Sequence, residues 1–162
     1  MGVLWSTSYP DAGIALKEME ALARFLKIEI QSLEVKGADG FERVLQTATK
    51  NRAGALLVTA GGLFGFHRKR IIELAEKHRL PATYDNNQYV EVGGLMSYTA
   101  DRKEQYRRAA EYVDKILKGA KPAELPVERP TKFELVINMK AAKQIGLAIP
   151  PNVLARADRV IK

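Results

Sequence analysis

Short apolar runs alternate with helical apolar stripes along most of this chain, from residue 2 to residue 118. The run from Ala55 to Val58 is continuous, which is typical of a strand covered on both faces. The strongest stripe recurs at spacings of three and four from Tyr106 to Leu117, which indicates a helix. Because strands that alternate with helices form βαβ units, the sequence predicts an α/β fold: an open, mainly parallel, doubly wound sheet with helices on both faces.

The boundaries of these elements follow from turn residues and caps. The strands are expected within residues 3–5, 28–35, 55–58, 82–84, 95–98 and 135–137. Helical stripes lie within residues 16–26, 41–48, 71–79 and 106–117, with a short helix near 140–145 and a last helical turn after residue 151. Asp11 and Asp101 are placed to cap the first and fourth of these helices.

Composition excludes several classes of site. The chain has no cysteine, which removes thiolate catalysis, cysteine-bound zinc and iron–sulfur clusters. Its two histidines, His67 and His78, stand eleven residues apart, which is not a metal-ligand spacing, and no catalytic residue, metal or cofactor is expected.

No apolar run approaches the roughly 20 residues that a transmembrane helix needs. Met1 to Trp5 lack the features of a signal peptide, which predicts a cytoplasmic protein if this is the whole gene product.

Two motifs support alternative functions. The loop Gly61 to Gly65 follows a strand and opens a helix, which is the context of a phosphate site, although its glycine spacing fits neither the Walker nor the dinucleotide pattern. A nucleotide- or phosphate-handling enzyme domain therefore stays open. The basic run His67 to Arg70, on a chain of net charge +7, leaves open a regulatory module associated with nucleic acid. No aromatic platform flanks that run, and no nucleic-acid partner is expected.

The carboxyl ends of the predicted strands carry the best candidate site. Open parallel sheets bind ligands outside these ends, and here the ends are rich in hydroxyls, amides, glycines and aromatic rings. This inventory suits the capture of a small polar molecule with an apolar or aromatic part, without a nucleophile and base. The candidate ligand-binding residues are Ser6, Ser8, Tyr9, Gly61, Gly62, Tyr84, Asp85 and Asn86.

Several long segments resemble one protein family over essentially the whole chain. They are residues 80–84, 91–98, 106–122, 125–138 and 149–158, and the string from 93 to 138 is the most specific. These segments are similar to the ABC-transporter substrate-binding protein family that includes tryptophan and tyrosine binding proteins. The resemblance covers only the C-terminal half of such proteins.

The resemblance implies a fold and a function. Its members have two Rossmann-like lobes, of the type I periplasmic-binding-protein kind, that close on a small solute such as an amino acid and present it to an ABC permease. It implies a periplasmic or extracytoplasmic location and no enzymatic activity. Among the candidate residues we expect Asp85 to hold a cationic amine, the hydroxyls and amides to orient the polar end of the ligand, and the rings to cover its apolar part. A single lobe offers half a cleft, so weak or no affinity is expected for this chain alone.

The resemblance also divides the chain, which is expected to form one α/β domain over residues 1–162. Residues 1–92 and 125–138 form a resident lobe, 94–122 a crossover arm, and 139–162 a C-terminal tail. The arm carries the strongest apolar stripe, and soluble monomers seldom expose such a patch. We expect two copies to exchange or pack these arms in a homodimer. The alternative is that the arm folds back on its own sheet edge.

Overall fold

The computed structural model describes residues 1–162, and its strands form one sheet. The strands are β1 (Gly2–Trp5), β2 (Gln31–Glu34), β3 (Leu56–Val58), β4 (Ala82–Tyr84), β5 (Met96–Ala100), β6 (Phe133–Asn138) and β7 (Arg159–Ile161). Their order is β2-β1-β3-β4-β5-β6-β7. Every pair is parallel except β5 with β6, so the predicted open, mainly parallel sheet is confirmed.

Helices connect the strands. They are α1 (Ala12–Phe25), α2 (Gly40–Lys50), α3 (Gly62–Phe66), α4 (Arg68–Lys77), α5 (Asn87–Glu91), α6 (Arg102–Leu117), α7 (Met139–Gln144) and α8 (Pro151–Leu154), with a 3₁₀ turn at Pro122–Glu124. The crossover through α1 runs toward one edge of the sheet, and the crossovers through α2 and α4 run toward the other. Right-handed connections therefore place α1 on the opposite face from α2 and α4. None of these helices combines the length and apolar character that crossing a membrane requires.

The core lies between the sheet and the face formed by α2, α3, α4 and α5. Alternate side chains of β1 to β4, such as Leu4, Leu56 and Val58, point to this face and are fully buried. Phe41 of α2 and Ile71 of α4 pack against them. This cluster of 19 buried residues fixes the register of the four strands, because a one-residue slip would expose the buried set.

The structure differs from the sequence expectations at several elements. The second strand covers only Gln31–Glu34, and the helix expected within residues 71–79 is α4, which begins at Arg68 and is preceded by the short helix α3. Helix α5 and strand β7 were not expected, because each is too short to show a periodic pattern. Asp101 caps α6 by accepting hydrogen bonds from two backbone amides, as predicted. The expected Asp11 cap is wrong: its helical backbone geometry leaves the side chain without a capping bond.

Asn138 joins the end of β6 to α7. Its buried side-chain oxygen accepts hydrogen bonds from the amides of Lys140 and Ala141, at 3.0 and 3.2 Å. Its side-chain nitrogen donates to the carbonyl of Val90, at 3.4 Å. One amide therefore caps α7 and ties it to α5, which lies next to the candidate site.

Replacing Asn138 with alanine is expected to destabilise the protein by about 1–2 kcal/mol, because the α7 cap is lost and the Val90 carbonyl loses its donor. Chemical denaturation followed by circular dichroism measures this difference. Asn152→Ala is the matched control, since Asn152 is exposed, and it should change the free energy of unfolding little. Equal effects from the two variants would contradict the assigned role.

Candidate functional site

The parallel strands β1, β3 and β4 end at the same edge of the sheet, and three loops begin there. Thr59 fastens the first two ends together: its amide and its hydroxyl both donate to the carbonyl of Leu4, at 3.1 and 3.0 Å. The candidate residues chosen from the sequence all lie at this edge: Tyr84 ends β4, Gly62 begins α3, and the others lie in the loops.

The loop after β1 is a hydrogen-bonded turn. Ser6 is buried, and its hydroxyl oxygen accepts a hydrogen bond from the amide of Ser8, at 3.2 Å. Its carbonyl accepts from the amide of Tyr9, also at 3.2 Å. These bonds hold Ser8 and Tyr9 outward, and the Tyr9 side chain is 42% exposed. Ser6 shapes the turn, whereas Ser8 and Tyr9 present groups to solvent.

The loop after β3 lies against the loop after β1. A Cβ atom added to Gly61 would lie 4.0 Å from the Cβ of Tyr9 and 3.5 Å from the Phe64 ring, so these residues are neighbours. Gly62 begins α3 and faces open space. Helix α3 has only five residues, so its dipole offers a phosphate group little stabilisation. The geometry favours a backbone surface over a phosphate cradle.

The loop after β4 carries the charged part of the site. Asp85 is half-buried, and it accepts a hydrogen bond from the side-chain nitrogen of Asn86 at 3.0 Å. Burial raises the pKa of Asp85, while the bond from Asn86 and the charge of Arg102 oppose this shift. The Asn86 oxygen accepts from the amide of Gln88 and so caps α5. Asp85 has no ion-pair partner within 4.0 Å in the chain.

The loops after β1, β3 and β4 form the rim of the candidate site, and Tyr84 lies below this rim. It is only 2% exposed, and its ring stacks on the ring of Tyr89, with 4.6 Å between centroids. A Cβ atom on Gly94 would lie 2.8 Å from Tyr84 and 2.9 Å from the carbonyl oxygen of Tyr89, so only glycine fits beside the pair. The Tyr84 ring thus belongs to the buried core, and its predicted contact with ligand stays a prediction.

Several residues at this edge were missed by sequence reasoning. The Asn87 side chain accepts from the hydroxyl of buried Ser97 and donates to Glu134, both at 2.6 Å, which fastens α5 to β5 and β6. Tyr89 of α5 lies beneath this edge with its ring stacked on Tyr84, and burial raises the pKa of its hydroxyl. The polar run after Tyr84 was the available signal, but the partners come from strands distant in sequence.

A cavity of about 1010 Å³ lies elsewhere, between α6 and residues 122–132. Arg108 of α6 forms an ion pair with Glu128 across it, and the hydroxyl of Tyr112 donates to the carbonyl of Pro126 at 2.5 Å. These contacts hold the returning segment against the helix. The cavity lies away from the converging strand ends that form the candidate site.

Comparison with protein families identifies one match. A family model described as ABC transporter substrate binding protein matches residues 1–161. A solved ABC domain in complex with L-Trp from Streptococcus pneumoniae is 26% identical, with a TM-score of 0.85, and the match covers 99% of this chain and 55% of that one. No curated protein sequence matches the chain.

Two further solved structures share the fold. A conserved domain protein from Vibrio cholerae O1 biovar El Tor has a TM-score of 0.87 and 24% identity, over 98% of this chain and 53% of that one. The ligand-free, open structure of a substrate binding protein with adhesive properties from Clostridium difficile has a TM-score of 0.77 and 17% identity, over 99% and 53%. The chain therefore spans about half the length of the solved proteins it matches.

The close packing of Tyr84 and Tyr89 against Gly94 predicts that a larger residue at position 94 destabilises the protein. Gly94→Ala is expected to cost about 1–3 kcal/mol, because the added methyl meets the Tyr84 ring and the Tyr89 backbone, which cannot both move away. Gly13→Ala is the control, since nothing lies within 4 Å of that position. It should leave stability unchanged or raise it by up to about 1 kcal/mol. Thermal denaturation of both variants measures the contrast, and an undisturbed Gly94→Ala protein would contradict the packing.

Proposed function

This chain belongs to the ABC transporter substrate-binding protein family, and from that premise we propose that it forms one wall of a solute-binding cleft at the carboxyl edge of its sheet. The observation that carries the proposal is Asp85, a half-buried carboxylate without an ion-pair partner at the edge where open α/β sheets bind ligands. A buried carboxylate is costly unless it is paired, so a cationic group on the ligand is its natural partner.

The remaining rim residues contact different parts of the solute. Ser8 and Asn86 supply a hydroxyl and an amide for orientation, and the exposed ring of Tyr9 covers an apolar part. Gly61 and Gly62 let a ligand approach the backbone closely because they carry no side chain. The site binds its ligand without chemical change.

An amino acid is the ligand class that this arrangement favours. Asp85 supplies the anion for an amine, and the rim combines polar groups with an aromatic ring. The solved domain from Streptococcus pneumoniae, 26% identical to this chain, is described in complex with L-Trp, which supports the same class here. Membership of the family supports an extracytoplasmic location and an ABC permease as the partner that receives the solute.

A second lobe would normally close such a cleft, and the chain matches 53–55% of the length of its solved neighbours. Residues 1–92 and 125–138 serve as the resident lobe in this proposal, 94–122 as the crossover arm and 139–162 as the tail. A ligand on one wall keeps much of its surface in water. Its affinity for this chain alone is therefore weak, with a Kd on the order of 1 mM.

The arm carries an unusual helix. Helix α6 has 16 residues and none is buried. It turns Arg108 and Tyr112 toward the returning segment, and it leaves an apolar stripe of Tyr106, Val113 and Leu117 exposed by 69, 55 and 81%. An apolar stripe on a helix that buries nothing favours a partner, and a second copy of the chain packing its own α6 there gives a symmetric homodimer.

Asp85→Asn tests the ligand site. The variant keeps the shape of the rim but loses the charge, so affinity for L-tryptophan or L-leucine should fall roughly tenfold. NMR chemical-shift titration detects binding this weak. In the wild-type chain the affinity should also fall as the pH drops through the raised pKa of Asp85, because the protonated acid cannot pair with an amine. The variant should not show this pH dependence.

Asp39→Asn is the matched control, since Asp39 is exposed in the loop after β2, and its titration should match that of the wild-type chain. Absence of any shift at the rim with millimolar amino acids would overturn the proposed function. Nanomolar affinity for the isolated chain would instead contradict the single-wall arrangement.

Val113→Glu tests the homodimer. A charge in the middle of the α6 stripe should convert the dimer to a monomer, because the apolar contact would then bury a carboxylate. Light scattering at micromolar concentration should give about twice the 18.0 kDa of one chain for the wild-type protein and one chain for the variant. Val127→Glu, at a 99% exposed position outside the stripe, should stay dimeric. A monomeric wild-type chain would rule out this partner.

A further inference from the structure

The loop after β4 is a span of only two residues, Asp85 and Asn86, between two anchored neighbours. On one side Tyr84 is fixed in the core by its stack on Tyr89, with 4.6 Å between the ring centroids. On the other side Asn87 begins α5, and its side chain makes two hydrogen bonds of 2.6 Å. The position of the Asp85 carboxylate therefore depends on both anchors.

The anchor at Asn87 is polar, and its direction is fixed by its partners. The side-chain nitrogen of Asn87 donates to Glu134 of β6, because an ionised carboxylate can only accept. The side-chain oxygen accepts from the hydroxyl of Ser97 of β5, which is fully buried. Glu134 is itself partly buried, and a hydrogen bond to a charged group is stronger than one between neutral groups. The start of α5 is thus tied to two strands that follow it in the sequence.

The same carboxylate is approached from the C-terminal strand. The Nε of Arg159 in β7 lies 4.0 Å from the second carboxylate oxygen of Glu134. A terminal nitrogen of Arg159 donates to Glu91, the last residue of α5, at 3.3 Å. Because a helix of five residues is marginal by itself, side chains at both of its ends contribute to holding it in place.

We propose that Asn87 and Glu134 are positioning residues for the solute site, which hold the loop of Asp85 and Asn86 in its binding arrangement without touching the ligand. This inference rests on the proposed function and deepens it, because it names the contacts that preorganise the Asp85 carboxylate. A loop fixed at both ends loses less conformational freedom when a ligand binds. Loss of one anchor therefore lowers the affinity although no contact with the ligand is removed.

The first test measures the anchor in the free protein. Glu134→Ala removes the acceptor of Asn87, so the hydrogen-bonded amides within residues 88–94 should exchange with solvent about tenfold faster. Glu134→Gln is the conservative variant, since its side-chain oxygen still accepts from Asn87, and its exchange should stay near that of the wild-type chain. Amides of β1 and β3 should exchange alike in all three proteins. Unchanged exchange within residues 88–94 of Glu134→Ala would overturn the anchor.

The second test measures binding of L-tryptophan and L-leucine by NMR titration. Asn87→Asp and Gln88→Glu each add one negative charge to the first turn of α5. Asn87→Asp also removes the donor and sets a carboxylate against Glu134, so the affinity should fall about tenfold. Gln88→Glu is the matched control, because Gln88 is exposed, and it should not weaken binding. Glu134→Ala should weaken binding about tenfold and Glu134→Gln by less than about threefold.

The outcomes separate the positioning role from the proposed function. If the wild-type chain binds no amino acid at the rim, the proposed function fails and the positioning role fails with it. If the wild-type chain binds, and Asn87→Asp and Glu134→Ala bind equally well, the cleft stands and the positioning role is overturned. Equal weakening in Asn87→Asp and Gln88→Glu would also overturn it, because added charge would explain both. Weak binding in Glu134→Ala that is restored in Glu134→Gln supports it.

Discussion

The parallel pairing of β1, β3 and β4 is the constraint on which the candidate site depends. Parallel strands release their chains at one edge, so three loops that are far apart in sequence meet above the core. The fully buried residues Leu4, Leu56 and Val58 hold the strands in register, and Thr59 fastens two of the ends with bonds to one carbonyl. A slip of one residue would bury Asp85 and expose Tyr84, which would dismantle the rim and the core together.

The sequence predicted the sheet well because its signals are local. The continuous run at Ala55 to Val58 indicates a strand buried on both faces, and Gly119 ends α6 with the positive φ of 99° that glycine tolerates. Helices α1, α2 and α4 end in the same hydrogen-bonded motif, but there the positive φ falls on Lys27, Arg52 and Arg79. A basic residue gives no such stop signal, so the ends of these helices could only be placed approximately.

The site was predictable in position and less so in its parts. The rule that ligands lie beyond the carboxyl ends of parallel strands selected Asp85 and Asn86, because they follow β4 directly. It also selected Tyr84, whose ring turns out to lie in the core as the last inward residue of its strand. Tyr89 could not be chosen from the sequence, because it resembles an ordinary helix residue until the fold stacks its ring on Tyr84.

Helix α6 has an apolar face that does not pack against the rest of the chain. Its polar side is the side that finds partners within the chain, through Arg108 and Tyr112, and its apolar side is the one that faces water. This inverts the usual arrangement, in which a helix buries its apolar stripe and solvates its charges. The ion pair of Arg108 with Glu128 is exposed and adds little stability. The helix follows β5 directly, and the antiparallel pairing of β5 with β6 extends beyond the end of β4. The arm is held at its base by the sheet, and its apolar stripe stays available to another surface.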